Sequence, residues 1–445
     1  MVPAAIMHAT RPVLRTNRCV LAALLILSAG CATYTSKMQV SRDCFFDGRY
    51  GEALSGLDEL IGKAKGNDRF LYILERGRVN LASGRYDSAI VDLRTAEERF
   101  ADIEGTISIP EMISSILLHP GKGEYQPENH EKILISSYLL LAYWMGGDRE
   151  GAFVERNRIV RKLGTYVNLL SEQERDELDI PFARYLAGLL YEAQGMADDA
   201  RIEYRRVAQL RPEAAPPAVL PRVTEIAVFA DVGRGPVKVS REIRGYFQRD
   251  GGLLQGVFLL PDIGDPLVFN MGMGHGFSPD RLGVLFTFSF PQLVRQERIV
   301  NSCRIVVDGI EAGEAVLLDD IAQTTDAAFR KRLPVILVKS AVRAYIKTLA
   351  QTKLKDEAGG AVDLLGKFFS AIDRADTRSW QTLPAEVHVF RMETTPGEHE
   401  VYVRYYDDQD RYIGSSENIG RVTVDEGGKG VAYFPHGSIT RRGRD

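Results

Sequence analysis

The residues that could do chemistry in this chain are scattered histidines, two glycine-rich loops and a few cysteines. His275 lies near Ser278 and Asp280, but a nucleophile needs its base at hydrogen-bond distance and a third group to orient that base. No Gly-x-Ser-x-Gly elbow supplies that geometry. His130-Glu131 has no second histidine at helical spacing, so a zinc-protease helix is excluded. Beyond residue 30 the other histidines are His119, His388, His399 and His436, with His388 and His399 flanking a turn out of register. The loops Asp231-Val232-Gly233-Arg234-Gly235-Pro236 and Met271-Gly272-Met273-Gly274-His275-Gly276 lack the Gly-Lys-Ser/Thr ending of a phosphate loop. We therefore expect no catalytic residues, no metal and no cofactor. Cys44 and Cys303 fall in different halves and read as buried thiols, with a disulfide open to them in an oxidising compartment.

Charge narrows the partners. A formal net charge of −4 over 445 residues gives no basic field for nucleic acid. Lys339, Arg343 and Lys347 stand four apart and make one stripe on a helix, which could face anionic lipid or peptidoglycan, although a solvated face is the commoner explanation.

One cysteine sits where chemistry is expected. Arg11, Arg15 and Arg18 precede the apolar run Val20 to Leu27, too short to span a bilayer but suited to a secretory signal. The run ends in Leu27-Ser28-Ala29-Gly30-Cys31, which resembles the bacterial lipobox. That resemblance implies a signal peptide over residues 1–30, acylation of the Cys31 thiol, and a lipidated tether over 31–39. Ala32 carries no inner-membrane retention signal of the aspartate type, which implies the outer membrane, periplasmic face, in a Gram-negative host.

The elements that follow are helical to about Arg211. Glycine stands five residues before alanine four times, at Gly48/Ala53, Gly84/Ala89, Gly147/Ala152 and Gly195/Ala200. Glycine can take the left-handed conformation that ends one helix, and alanine lets the next pack closely. Gly77 and Gly188, Tyr143 and Tyr191, and the closing Leu210-Arg211-Pro212 keep the same register. This pattern resembles the tetratricopeptide repeat and implies an all-α superhelix over residues 40–211, interrupted by an insertion at 101–131. Its inner groove would take an extended or helical segment of an envelope protein, with Arg76, Asn80, Arg184 and Glu192 as exposed lining candidates.

Residues 212–221, with Ala214-Ala215-Pro216-Pro217 inside, read as a linker. Beyond it an α+β domain is expected over 222–445, with mainly antiparallel strands and a helical insertion. The expected strands are Thr224–Ala230, Val284–Phe290, Arg304–Asp308, Glu386–Arg391, Glu400–Tyr405, Arg421–Val424 and Gly430–Phe434. Thr395-Pro396-Gly397 and Glu426-Gly427-Gly428 read as hairpin turns. The insertion reads as one helix from Glu314 to Arg332, a second opened by Pro334 and running to about Lys355, and a third over Ala361–Ala375.

The run Ala375-Asp376-Thr377-Arg378-Ser379-Trp380-Gln381-Thr382-Leu383-Pro384 reads as an architectural corner, with Trp380 burying a large surface where helix meets sheet. With it, the whole chain resembles a poorly characterised family of Gram-negative envelope lipoproteins. The expectation is thus a lipid-anchored, non-catalytic scaffold for protein partners in envelope assembly or regulation. The alternative is a peptidoglycan- or glycan-binding protein, suggested by the basic stripe and the aromatic strand Phe286/Phe288/Phe290.

Overall fold

The computed structural model describes residues 33–64, 66, 68–106, 124–216, 223–259, 266–273, 283, 285–358, 375–416, 420–435 and 439–440. Cys31, residues 107–123 of the expected insertion, linker residues 217–222 and the third expected helix lie outside them.

The helical half is a series of pairs: α1 (Tyr34–Phe46) with α2 (Tyr50–Lys63), α3 (Arg69–Ala82) with α4 (Tyr86–Thr106), and α5 (Asn129–Met145) with α6 (Arg149–Tyr166). A short α7 (Glu172–Leu178) precedes the last pair, α8 (Pro181–Ala193) and α9 (Ala197–Leu210). Each pair turns at a glycine in the left-handed region, with φ of 77°, 74°, 85° and 75° at Gly48, Gly84, Gly147 and Gly195. The alanines Ala53, Ala89, Ala152 and Ala200 that follow are completely buried. Gly188 serves the same close approach, since a Cβ there would stand 2.5 Å from the Tyr204 ring.

Helix α1 starts earlier than expected. Thr33 caps it by accepting from the Ser36 N–H, and Tyr34 is buried, so residues 34–39 are helix and not tether. The tyrosine makes the difference, because its ring stacks on Tyr72 at 5.1 Å and its hydroxyl donates to Glu75.

Thirteen strands follow among the described residues: β1 (Glu225–Arg234), β2 (Val237–Asp250), β3 (Leu253–Leu259), β4 (Leu267–Met273), β5 (Phe286–Val294), β6 (Ser302–Val307), β7 (Ile310–Asp319), β8 (Pro384–Glu393), β9 (Gly397–Tyr406), β10 (Tyr412–Ser416), β11 (Gly420–Val424), β12 (Lys429–Phe434) and β13 (Ile439–Thr440). Strands β12-β1-β8-β7 form one layer, and β7 continues into a second, β6-β9, which β10 and β11 extend side by side along β9. All pairings in these layers are antiparallel except β1 with β12. Ile226, Val228, Ala230 and Val232 of β1 face the second layer. Ala227 and Phe229, alternating with them, join the helix core. Hence β1 is buried on both faces, and the molecule stacks helices, first layer and second layer in that order.

Two expected hairpins are corrected here. β8 pairs with β1 and β7 while β9 pairs with β6, so Thr395-Pro396-Gly397 carries the chain between layers. Likewise β11 pairs with β9 and β12 with β1, so Glu426-Gly427-Gly428 also crosses over. Both turns have the right residues, but burial on opposite layers decides the pairing.

The expected helix from Glu314 to Arg332 is also revised. Asp308 and Gly309, at φ of 49° and 81°, turn β6 into β7, so residues 314–319 are strand. Asp320 then accepts from Gln323 N–H and opens α10 (Ile321–Ala358), which runs through Pro334 without ending. Leu333, Ile336, Leu337 and Ala341 pack on either side of that proline against a separate antiparallel sheet, β4-β3-β2-β5, and this packing outweighs the lost backbone hydrogen bond.

Candidate functional site: the inner face of the helical array

Helices α1, α3, α5 and α8 present a face lined with carboxylates and aromatic rings. The residues that fill it come from the same chain. Ala375 to Leu383 runs without helix or strand, with a turn at Gln381-Thr382, and is almost wholly buried between these helices and the first layer. Such a segment leaves its N–H groups without helix or ladder partners, and each buried one must find an acceptor.

Glu75 of α3 provides for two of them. Its Oε1 accepts from the Gln381 N–H at 2.7 Å and from the Tyr34 hydroxyl at 3.0 Å, and its Oε2 accepts from the Thr382 N–H at 2.9 Å. Burial pushes the Glu75 carboxyl up to about 7 against the lowering pull of these donors. Glu131 of α5 takes the Trp380 N–H at 3.1 Å with one oxygen, and the Tyr125 hydroxyl and Glu128 N–H with the other. The Trp380 ring meets Tyr138 edge-on at 5.8 Å, and its N–H donates to Thr382 Oγ1. Arg42 donates to Gln381 Oε1, and Arg378 pairs with Asp376 at 2.7 Å while reaching Asp68 before α3. Trp380 therefore does sit where helices meet sheet, as its size demanded.

A second set of contacts ties the helices to the strands. Arg78, fully buried, donates to Asp231 of β1 at 2.7 Å and lies 3.9 Å over the Tyr138 ring. The Tyr433 hydroxyl of β12 shares the same aspartate. At the far end Glu192 of α8 accepts from Arg391 at 2.7 Å, Lys429 at 3.1 Å and the Tyr204 hydroxyl at 3.0 Å. Glu225 completes that group through Arg391 and Lys429. Asp319, at the end of β7, accepts from the Phe182 N–H in the first turn of α8, and burial lifts its carboxyl to about 8.

These contacts revise the expected groove lining. Asn80, Arg184 and Glu192 are buried, not exposed. Asn80 donates to Asp92, and Arg184 is held by Asp179, Glu203 and Asn168. Arg76 alone is half-buried, and it is shared by Asp58 and Asp92 in a recess of about 410 Å³ also lined by Leu54, Arg85 and Val91. Lys339 lies half-buried on α10, while the side chains of Arg343 and Lys347 fall outside the described residues. Phe286, Phe288 and Phe290 are buried under α10 and cannot stack on a sugar ring.

The sequence reading missed Glu75, Arg78 and Glu131. Their signal was charge inside apolar helical stretches, at Leu74-Glu75 and Arg78-Val79, and the capping box that Glu131 makes with Glu128. His388 contacts Glu386 and His399 contacts Asp308, on separate strands. Both Cys44 and Cys303 are free and buried, and burial pushes the Cys303 thiol up to about 12. Among the described residues no group of three or more His, Cys, Asp or Glu could hold a metal, and no helix is long and apolar enough to cross a membrane. In chemical terms the inner face is an acceptor surface for backbone N–H groups that no helix or sheet pairs, and residues 380–382 of the same chain supply them.

In comparisons with known proteins, no family model, curated protein or solved structure matches this chain.

Proposed function

We propose that this protein is a lipid-anchored, non-catalytic scaffold of the bacterial envelope, carried on the periplasmic face of the outer membrane through acylated Cys31. In this reading the tetratricopeptide-like helix pairs hold their own carboxy-terminal half, and envelope proteins dock on what remains outside. The observation that carries it is the occupation of the inner face by residues 375–383, gripped through Glu75 and Glu131. A face spent in this way leaves the outer helix surfaces and the recess around Arg76 as partner contacts. The signal segment and Leu27-Ser28-Ala29-Gly30-Cys31 supply the anchor. The glycan-binding alternative loses its aromatic platform, since the rings of β5 are buried.

The test is mass analysis of the amino terminus of the cell-expressed protein, together with in-cell crosslinking. A diacylated thiol at Cys31 in the outer-membrane fraction, and crosslinks to protein partners from a probe at Arg76 or Val91, are expected. An unmodified, freely released chain defeats the anchor, and capture of cell-wall fragments alone defeats the scaffold.

A further inference from the structure

Only Ala32 separates Cys31 from Thr33, the cap of α1. A chain spans at most about 3.6 Å per residue, so the Cα of Cys31 lies within ~7 Å of that cap. The cap itself is fixed. Thr35 donates through Oγ1 to the backbone oxygen of Lys238 at 2.6 Å, and Lys238 is the second residue of β2. A lipid on Cys31 would thus be joined two residues before the cap of a helix whose first turn is hydrogen-bonded to the root of the β4-β3-β2-β5 sheet.

That sheet has an unusual outer face. Its inner face packs Ile243, Phe247, Leu254, Phe258, Phe286 and Phe288 against α10, so the alternate positions should be polar. Ser240, Glu242, Gln248, Gln255 and Thr287 are, but among them Leu253, Leu259, Val268 and Leu285 are 38%, 43%, 50% and 63% exposed. Leu253, Leu259 and Leu285 adjoin the inward Leu254, Phe258 and Phe286, and Val268 pairs with Val257, so all four fall on the outer side. Register sets Tyr246, Val257 and Val268 in one row, with Val257 itself covered at 2% exposure, and places Leu259 opposite Arg244. Arg244, exposed on this face opposite Leu259, can reach a lipid phosphate beside its apolar part.

We infer that the outer face of the β4-β3-β2-β5 sheet rests on the phospholipid bilayer that holds Cys31, with Leu253, Leu259, Val268 and Leu285 at headgroup depth. The inference builds on the proposed acylation. One acyl-bearing residue and one apolar, basic-tipped face are two membrane signals, and together they fix orientation as well as location. The helix pairs are then held at a set attitude for partners.

The experiment separates this contact from acylation in cells. The chain beginning at Cys31 is coupled through that thiol to maleimide-bearing lipid in phosphatidylethanolamine/phosphatidylglycerol vesicles; the buried Cys44 and Cys303 do not compete. Leu259→Trp and Val268→Trp report contact through quenching by brominated acyl chains, with Val154→Trp, exposed on α6, as the reference. Loss of emission from the first two and none from the third is expected. Equal emission from all three, with or without bromine, overturns the inference, as does a crosslink between Val268 positions of two copies with no quenching, which would make the face a dimer contact. Because the tether is chemical, failure here says nothing against acylation, which the amino-terminal mass analysis judges alone.

Discussion

Replacing Glu75 by glutamine removes one acceptor oxygen from a site where three donors converge. Glutamine keeps a single carbonyl oxygen, which can serve the Gln381 N–H and the Tyr34 hydroxyl in place of Oε1. Its amide nitrogen then faces the Thr382 N–H, so a buried donor meets a donor. Leaving such a group unpaired costs about 1–3 kcal/mol. At tenfold per 1.4 kcal/mol, local opening of the segment should rise roughly 5- to 150-fold. The glutamine also relieves the desolvation that lifts the Glu75 carboxyl, so global stability should fall by less than the local figure. Native-state amide exchange over residues 378–384 reads the local term directly. Faster exchange at Gln381 and Thr382, with α9 unchanged, is expected. Unaltered protection of both amides in Glu75→Gln would refute the role assigned to this carboxylate.

Other outcomes follow from the same contacts. Arg78→Ala strands Asp231 in the core and should cost about 3–5 kcal/mol in urea unfolding, whereas Arg78→Met with Asp231→Leu should recover most of it; equal losses in both would remove the pair from the account. Asp319 titrates at about 8 when folded, above its unfolded value, so its contribution is complete below about pH 4 and is lost as pH rises through about 8. Asp319→Asn should accordingly gain on the parent protein between about pH 5 and pH 9, and a stability gap that ignores pH would contradict this. Leucine at Ala89 or Ala200, both fully buried, should overpack a helix pair by about 1–3 kcal/mol, and unchanged melting would argue against the close approach.

What the sequence disclosed was mostly local. A left-handed turn at Gly84 and a small residue at Ala89 are requirements that neighbouring residues impose, and so all four helix pairs could be read from spacing. Strand segments such as Gly430–Phe434 were legible from branched and aromatic runs, but their partners were not, because pairing follows the layer in which each face is buried. Residues 314–319 show the limit: Ala315, Val316, Leu317 and Leu318 suit a helix or a strand, and only the turn at Asp308-Gly309 and pairing with β6 and β8 decide. The lining candidates failed for a related reason. A charged side chain such as Glu192 reads as surface until Arg391 and Lys429, distant in sequence, are brought to it. Cys303 and Trp380, by contrast, are residue types whose burial is the common outcome.

The central claim is that helices and strands share one core closed over residues 375–383. Phe182 and Tyr185 of α8, meeting Phe229 of β1 edge-on, belong to that core as much as Trp380 against Tyr138 does. Cutting the backbone within residues 217–222 by an introduced protease site tests it most directly, since the cut severs the covalent link between helices and strands and leaves these contacts intact. The account predicts that both pieces stay together through size exclusion at micromolar concentration and unfold in urea in one transition. Two separate folded pieces, each with its own transition, would contradict it.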